Sequence, residues 1–482
     1  MKKTVRCNRY RPFNDEQAKM VHETVLRVLG EIGIEVNEEE ALELFQKAGA
    51  KVDADKSIAR FDSELVMKLI NQAPSNVTLW GREEKHKIVL GEDRVCIGTG
   101  GTAIRVVDLD TGETRASEIR DLHDMARLCH HLDNLHLYML PLYPNDIPKE
   151  NVDLNRFFSG IVNTTKHVMG GVYTVEGVRD VFEMCSLIAG SPDEFRKRPF
   201  ISMITCVISP LKMDSHYTKL MIEAAKHGIP VVCPAEPLCG ATSPITLAAN
   251  VVHQVTESLA GVMLTQIVNP GTPVILGTVS STTDFRDMRY ICGGVEMGMI
   301  SAAEAQMAQF YGLPFYAVGG MSDSKVVDAQ AGYESAMTTL LNVLAGANFV
   351  HDAIGLFDFA LTMSYEKCIM DNEISGMAMR AAEGIRVDEE TLAFDVIKEV
   401  GPGGSFISHK HTARNMRKEH FLPKLSDRNI REKWAAQGGK DAARRAHDLA
   451  KKILDRPPEP QLPAEKLSAV TDRFPQIVYP AK

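Results

Sequence analysis

From residue 131 onward, short apolar runs recur along the chain, and each one ends at a glycine, a proline or a polar residue. Eight such runs lie at 136–141, 167–172, 200–208, 230–234, 273–279, 314–318, 348–352 and 405–408. Their length and their flanking turn residues are typical of buried strands. The segments between them have helical spacing, as at Met299, Ala303, Met307 and Phe310, and at Met337, Leu340, Leu341 and Leu344.

Strands that alternate with helices predict a parallel sheet, because a parallel connection needs a long crossover. Eight such units predict a closed (β/α)8 TIM barrel over 131–425, with a doubly wound open sheet as the alternative. We expect an N-terminal α+β extension over 1–130, where Asn14 can cap a helix. A C-terminal helical extension with an extended, proline-rich tail is expected over 426–482.

Composition narrows the class of protein. Of the 482 residues, 44% are hydrophobic and 6% are aromatic, as in ordinary soluble globular proteins. The net charge of −9 argues against a general nucleic-acid binder. The nine scattered cysteines suit a reducing cytoplasm better than a disulfide framework. We expect neither a signal peptide nor a membrane span, because the most apolar stretch is broken by Pro270, Gly271 and Pro273.

The residues that follow the predicted strands meet at one mouth of the barrel, where barrel enzymes carry their chemistry. Most of them are small or polar. They are Tyr143, Gly170, Gly171, Thr205, Ser209, Glu236, Ser280, Asp284, Gly319, Gly320, His351, Asp352, His409 and His411. Small residues would let a large flat cofactor approach the backbone closely, although ordinary loops have the same composition.

Two histidine motifs allow more than one interpretation. His351 with Asp352 could supply a base or a ligand contact, or it could be a core histidine bonded to a backbone carbonyl. His409 and His411 have the i, i+2 spacing of one strand face, which would suit a metal site. No further ligand stands at a recognisable spacing, so a pair of loop histidines is favoured.

The basic segment 410–456 is a second open question. It contains 14 Lys or Arg and only 6 Asp or Glu. Such a segment could dock an acidic partner, but a solvated helix face is the more common explanation. Aromatic residues do not alternate with its charges, which argues against nucleic-acid binding.

Six stretches together resemble the trimethylamine methyltransferase superfamily. They are GATSPITLAANVVHQVTESLAGVMLTQIVNPGTPVILG (240–277), YGLPFYAVGG (311–320), DSKVVDAQAGYE (323–334), LAGANFVHDAIG (344–355), SYEKCIMDNEISGM (364–377) and GPGGSFISHKHT (401–412). Matches of this length and spread are far more specific than a short motif. The resemblance implies a (β/α)8 barrel that moves a methyl group from a methylated amine to the cobalt of a separate corrinoid (cobalamin) protein.

Trimethylamine members of that family carry a genetically encoded pyrrolysine in the barrel. This sequence has only standard residues, so it resembles the non-pyrrolysine branch, whose members with an assigned role act on quaternary amines such as glycine betaine, proline betaine or carnitine. The resemblance therefore implies a quaternary-amine:corrinoid methyltransferase with a cognate corrinoid protein as its partner. It also suggests a homo-oligomer, without a tightly bound metal in this chain and without nucleic-acid or membrane partners.

Demethylation of a quaternary ammonium releases a neutral tertiary amine, so the protein mainly has to hold the cation and aim one methyl group. Aromatic faces and carboxylates hold such cations. The expected substrate contacts are Tyr143, Arg289, Tyr333, Glu334, His351, Asp352, Phe357, Tyr365 and His411. His351 and Glu334 are the best catalytic candidates, and the expected corrinoid contacts are Gly170, Gly171, Gly319 and Gly320.

Two functions of other classes remain open at this point. The chain could be a binding protein for a betaine or a corrinoid that catalyses nothing. It could also be a metal-dependent barrel enzyme that uses His409, His411 and a cysteine or aspartate. A substrate panel with reduced cobalamin and a metal analysis would separate these three functions.

Overall fold

The computed structural model describes residues 3–479. The strands are β1 Val5–Arg6, β2 Ile34–Val36, β3 Lys51–Asp53, β4 Ile58–Arg60, β5 Val77–Leu79, β6 Ile88–Leu90, β7 Arg94–Ile97, β8 Arg105–Val107, β9 Thr114–Ala116, β10 Leu137–Met139, β11 His167–Gly171, β12 Ile201–Ile204, β13 Lys212–Met213, β14 Val231–Ala235, β15 Leu238–Cys239, β16 Val274–Thr278, β17 Ser281–Asp284, β18 Arg289–Ile291, β19 Phe315–Val318, β20 Phe349–His351, β21 Leu356–Phe357 and β22 Thr362–Ser364. The helices are α1 Asp15–Arg27, α2 Glu39–Ala48, α3 Ser63–Ile70, α4 Ile119–His130, α5 Val152–Asn163, α6 Val175–Ala189, α7 Pro192–Lys197, α8 Ser215–His227, α9 Leu247–Val268, α10 Val295–Phe310, α11 Ala329–Ala345, α12 Tyr365–Glu383, α13 Glu389–Leu392, α14 Phe394–Val400, α15 Lys410–Glu419, α16 Arg431–Ala436, α17 Ala442–Leu454 and α18 Ala464–Arg473.

A nine-stranded sheet forms the centre of this α/β fold, in the order β1-β7-β20-β19-β16-β14-β12-β11-β10. Every neighbouring pair is parallel except β1 with β7. The sheet is curled, and its two ends approach each other. Gly98 and Leu137 form a parallel bridge, and the amide of His136 donates to the carbonyl oxygen of Ile97 at 2.9 Å.

Seven of the eight predicted strands are present in this sheet, at β10, β11, β12, β14, β16, β19 and β20. The eighth prediction, at 405–408, is wrong. These residues lie in a loop and turn between α14 and α15, with Phe406 and Ile407 exposed. The strand β7 takes the place beside β20, so the segment 1–130, predicted as an extension, contributes a strand to the central sheet. The three-part division of the chain stays a prediction.

The start of helix α1 is set by its local sequence. The Asn14 side chain accepts from the amide of Gln17 at 2.8 Å, and the Gln17 side chain accepts from the amide of Asn14 at 2.9 Å. This capping box satisfies two amides that the first helical turn leaves free, which confirms the predicted start of α1. Strands β2, β3 and β4 form a small sheet together with β13 beside this helix.

Apolar side chains fill the inside of the curled sheet. They come from successive strands, as with Leu137, Met169, Val232, Ile275 and Phe349, and they pack together with the β5–β6 hairpin. The hairpin leads directly into β7, so it closes the amino ends of the strands. The carboxyl ends remain open for a site. Within residues 3–479, no helix combines the length and the apolarity that crossing a bilayer requires.

Candidate active site

A cavity of about 430 Å³ opens at the carboxyl ends of the parallel strands. The lining side chains that carry chemistry are aromatic rings, two carboxylates and an imidazole: Tyr173, Tyr217, Tyr290, Tyr316, Phe359, Glu236, Asp352 and His351. A larger cavity of about 600 Å³ lies between residues 3–6 and 376–422, where no parallel strand of the central sheet ends. The strand-end cavity is therefore the candidate site.

Asp352 is fixed at the mouth by its backbone and by its side chain. Its φ is +58°, a left-handed conformation that is uncommon for residues other than glycine. Its amide donates to the carbonyl oxygen of Thr99 at 3.1 Å, and its Oδ1 accepts from the amide of Gly101 at 2.8 Å. These two bonds hold the strained residue in place, as is common at functional sites.

His351 forms part of the cavity wall. Its Nε2 lies 3.0 Å from the carbonyl oxygen of Thr278, and its Nδ1 lies 3.0 Å from Oδ2 of Asp352. Because a carbonyl oxygen only accepts, Nε2 carries a proton and donates it to Thr278, whereas Nδ1 faces the carboxylate without forming a hydrogen bond. The ring also stacks on Tyr316 with centroids 3.6 Å apart. This geometry favours a fixed wall residue over a free general base.

Glu236 supplies the second carboxylate, directly after β14. Solvent reaches its side chain from the cavity, although the cavity walls surround it. Partial burial by these walls and the negative charge of Asp352 raise the pKa of Glu236 to about 7. Among the described residues that line the cavity there is no lysine or arginine. Two carboxylates therefore face one cavity without a resident cation.

The hydroxyl groups of two lining tyrosines are engaged with the protein. The Tyr316 hydroxyl donates to Sδ of Met139 at 3.3 Å, and the Tyr290 hydroxyl donates to the carbonyl oxygen of Val279 at 3.1 Å. The rings then remain to contact a ligand. A small cavity with five aromatic rings and two carboxylates has the chemistry of a site for an organic cation.

Arg156, on α5, lies behind the part of the cavity wall that contains Gly171 and Tyr173. It is fully buried and donates to the carbonyl oxygen of Gly171 at 3.0 Å and to Oγ1 of Thr102 at 2.9 Å. Its guanidinium carbon lies 5.3 Å from the ring centroid of Tyr173. The predicted contact residue Tyr143 packs edge-on against Tyr173, with centroids 5.6 Å apart. Tyr143 is thus one ring removed from the cavity lining.

Of the predicted substrate contacts, His351 and Asp352 line the cavity, and Arg289 lies at its rim through its contact with the lining residue Phe359. The guanidinium carbon of Arg289 is 4.9 Å from the ring centroid of Phe359, and Arg289 pairs with Asp287. The structure therefore brings together three of the nine side chains at this mouth.

Glu334 and Tyr333 lie on α11, away from the cavity lining. The Glu334 carboxylate accepts from the Ser322 hydroxyl at 2.6 Å and from the Asp323 amide at 2.9 Å. It therefore braces the loop after β19. Tyr333 is 63% exposed on the outer surface of the helix. The structure does not bring either side chain to the site.

Phe357, Tyr365 and His411 also lie outside the lining of the cavity. Phe357 is buried in the core, and the Tyr365 hydroxyl donates to Oδ1 of Asp121 at 3.3 Å. His411 lies in the first turn of α15, far along the chain from any strand of the central sheet. Its place follows from the missing eighth strand, which was expected to carry it to the mouth.

The four glycines expected to contact a corrinoid differ in their surroundings. Gly171 lines the cavity, and a side-chain carbon added there would meet no atom within 4 Å. Gly170, Gly319 and Gly320 instead pack against neighbouring parts of the chain, within 2.4 to 2.8 Å of such a carbon. Gly171 alone of the four is open to a ligand.

Within the described residues 3–479, no group of three or more His, Cys, Asp or Glu could hold a metal ion. His409 caps α15 instead, because its Nδ1 accepts from the amide of His411 at 3.1 Å. Cys233 and Cys239 are buried and unpaired.

Sequence reasoning missed the aromatic part of the site. Tyr173 and Tyr316 left a usable signal, since one follows β11 by two residues and the other lies in β19 among buried neighbours. Tyr290 and Phe359 left no such signal, because Tyr290 lies in the β17–β18 hairpin and Phe359 in a turn, both outside the central sheet. Phe359 has a φ of +56°, a turn geometry that periodicity cannot predict.

Comparisons with known proteins identify the family of this chain. The crystal structure of the Methanosarcina barkeri monomethylamine methyltransferase (MtmB) aligns over 91% of this chain and 92% of that chain, with 10% identity and a TM-score of 0.47. The trimethylamine methyltransferase MttB of Desulfitobacterium hafniense (strain DSM 10664 / DCB-2) is 39% identical over 458 residues, 95% of this chain and 92% of that protein. The glycine betaine methyltransferase of Desulfitobacterium hafniense (strain Y51) is 35% identical over 474 residues, 97% and 98% of the two chains. The sequence model of the trimethylamine methyltransferase (MTTB) family matches residues 1–475, so the chain belongs to this family and is a methyltransferase.

Proposed function

We propose that this enzyme takes a methyl group from a quaternary ammonium compound and passes it to the Co(I) of a corrinoid held by a separate protein. The observation that carries the proposal is the cavity in which five aromatic rings surround Glu236 and Asp352. A quaternary ammonium donates no hydrogen bond, so aromatic faces and nearby negative charge are the groups that bind it. The relative named glycine betaine methyltransferase supports a substrate of this class.

The reaction asks little acid–base chemistry of the protein. The N–CH3 bond breaks, and its electron pair stays on nitrogen, which leaves as a neutral tertiary amine. When bound at the mouth, the reduced corrinoid supplies the electron pair that the methyl carbon accepts. No proton has to move, which fits a His351 ring whose two nitrogens both face protein atoms. The chain's own tasks are to bind the cation, exclude water and aim one methyl group.

We further propose that the central sheet closes as a (β/α)8 barrel. The bridge between Gly98 and Leu137 supports closure, because it joins the β7 edge of the parallel sheet to the β10 edge. The corrinoid would then approach the mouth from outside, where Gly171 leaves open space. The nine unpaired cysteines support the cytoplasm as the compartment.

A betaine-type substrate can be placed with the charges available. Two cationic side chains flank Phe359 at the rim: the Arg289 guanidinium carbon at 4.9 Å from its ring centroid and the Lys325 Nζ at 3.9 Å. We place the ammonium near Glu236 and Asp352, and a substrate carboxylate near these rim cations. Carnitine, in which several bonds separate the two charges, is the first such betaine to test.

A substrate panel with reduced cobalamin tests the proposal. Carnitine, proline betaine, glycine betaine and trimethylamine are each incubated with the enzyme, and methyl-cobalamin is followed by its absorbance. We expect transfer from at least one quaternary amine and none from trimethylamine. No transfer from any quaternary amine would overturn the proposal, and saturable binding without transfer would select a non-catalytic binding protein.

A further inference from the structure

Helix α11 carries its large apolar side chains on the outside. Its buried residues are mostly small or polar: Ala331, Ser335, Thr338, Thr339, Asn342, Val343 and Ala345. Tyr333 and Met337 are 63% and 50% exposed, and Leu340, Leu341 and Leu344 are half-buried. A surface helix of a monomer ordinarily turns its apolar face inwards, so this orientation is reversed.

Helix α10 packs beside α11 and extends the same surface. It exposes Val295, Met299 and Phe310. Neither helix contains a lysine or an arginine, although solvated helix faces are ordinarily rich in charge. We call the exposed set Val295, Met299, Phe310, Tyr333 and Met337 the α10–α11 face.

A second apolar surface lies on residues 385–419, which we call the arm. None of these residues is buried, although the arm contains α13, α14 and α15. Its large apolar side chains are 44% to 87% exposed: Ile385, Val387, Leu392, Phe394, Ile397, Phe406, Ile407 and Met416. At on the order of 150 Å² for each of the eight side chains, with about two thirds of that exposed, they present roughly 800 Å² of apolar surface, which is about what each partner of a stable interface contributes. Monomers rarely expose that much in one region.

We propose that a second copy of this chain covers both surfaces, with the arm of one copy packed on the α10–α11 face of the other in a two-fold dimer. The arm leaves from the end of α12, and α12 packs beside α11, so the two surfaces lie close together on one copy. In a two-fold dimer each copy receives the arm that it also gives, and this proximity lets both contacts lie near one axis.

Charge matches at one end of the arm, because residues 385–419 contain six basic and six acidic residues and the basic ones concentrate on α15. The last helix of the arm, α15, carries Lys410, Arg414, Arg417 and Lys418 and a single acidic residue. The exposed charge of the α10–α11 face is Glu296, because Glu304 is fully buried and the Glu334 carboxylate bonds the loop after β19. Opposite charges favour α15 of one copy beside Glu296 of the other over contact between two α15 helices.

The position of the arm argues against the methyl-acceptor protein as its occupant. Nη1 of Arg9 donates to the carbonyl oxygen of Ala381 at 3.4 Å, and the backbone amide of Arg9 donates to the carbonyl oxygen of Leu344 at 2.7 Å. These contacts hold the final turns of α11 and α12 together, next to the segment that leads into β20. The arm therefore starts at the amino ends of the strands, opposite the cavity that an acceptor must reach.

Sedimentation velocity of the full chain tests the proposal independently of its activity. We expect the wild type to sediment with at least twice the single-chain mass of 53.2 kDa. Phe394→Glu with Ile397→Glu in the arm should shift it to the single-chain mass, and so should Met299→Glu with Met337→Glu in the face. Met20→Glu, on an equally exposed side chain of α1, is the matched control and should sediment as the wild type. Circular dichroism checks that each variant is folded.

Mixing the two double variants tests the pairing itself. The mixture restores one undamaged contact, between the intact arm of one copy and the intact face of the other, so a two-chain species should reappear. A single-chain wild type at micromolar concentration would overturn the proposal. The proposal would also be overturned if the arm variant were a single chain while the face variant stayed associated. A mixture of the two variants in which no two-chain species forms would overturn it as well. A chain that is single by itself and binds the acceptor protein through the arm would also contradict it.

Discussion

The mouth of the sheet and the α10–α11 face both expose aromatic and apolar side chains, but they differ in shape and charge. At the mouth, Tyr290 and Tyr316 line a concave space together with Glu236 and Asp352. On the α10–α11 face, apolar side chains lie on the outside of two helices without a basic residue. Rings with carboxylates in a cavity suit a small cation, whereas exposed apolar side chains on helices suit another protein surface. The two regions should therefore respond differently to substitution.

The largest effect is expected at Asp352. Asp352→Asn keeps the shape and can still accept from the Gly101 amide, but it removes one of the two negative charges that attract the cation. We expect kcat/KM for methyl transfer to fall about 100-fold, or roughly 2.7 kcal/mol. Initial rates with reduced cobalamin measure it. Asp110→Asn, on a side chain that is 77% exposed, is the control and should leave the rate unchanged.

The aromatic wall should matter next. Tyr290→Leu removes a ring at the cavity, and we expect the dissociation constant of tetramethylammonium to rise about 20-fold, as loss of a desolvated cation–π contact predicts. Tyr290→Phe keeps the ring and loses the bond to Val279, so it should stay within about threefold of the wild type. Calorimetric titration with tetramethylammonium measures the dissociation constants of both variants. Equal losses in both variants would show that the hydroxyl, and not the ring, binds the cation.

Glu236 predicts a dependence of binding on pH. Its pKa of about 7 means that the carboxylate is charged above neutral pH and loses its charge as the pH falls. The dissociation constant of tetramethylammonium should therefore rise about tenfold between pH 8 and pH 6. The Glu236→Gln variant should bind tetramethylammonium weakly, with a dissociation constant that is nearly independent of pH. An unchanged pH slope in this variant would assign the titration to another group.

The smallest effect is expected on the α10–α11 face. Met337→Glu should change the dissociation constant of tetramethylammonium by less than about twofold, since the side chain lies on the outer surface of α11. The same calorimetric titration measures it. A large change would mean that the face and the mouth are coupled, and the contrast between the two regions would then fail.

Much of the fold could be predicted from the sequence, because buried parallel strands and helices differ in period. Seven strands of the sheet follow from short apolar runs. The run at 405–408 misled because four apolar or small residues look the same in an exposed arm as in a strand. Likewise, the spacing of Met299, Phe310 and Met337 predicts helices, but periodicity alone does not say whether an apolar stripe faces the core or another copy.

The site could be predicted only in part, for a related reason. His351 and Asp352 end a strand, so the barrel rule places them at the mouth. Glu334 is near them in sequence but lies on the helix, where its carboxylate bonds the loop after β19. Phe359 reaches the cavity through a turn with positive φ, which depends on tertiary structure and not on the local pattern.

The most direct test of the central claim follows both products of one reaction. The enzyme is mixed with reduced cobalamin and carnitine, and mass spectrometry follows the tertiary amine that is one methyl group lighter. We predict that this amine and methyl-cobalamin appear in equal amounts, that Asp352→Asn forms both about 100-fold more slowly, and that trimethylamine yields neither. Transfer from trimethylamine, or no demethylated product from any quaternary amine, would contradict the account.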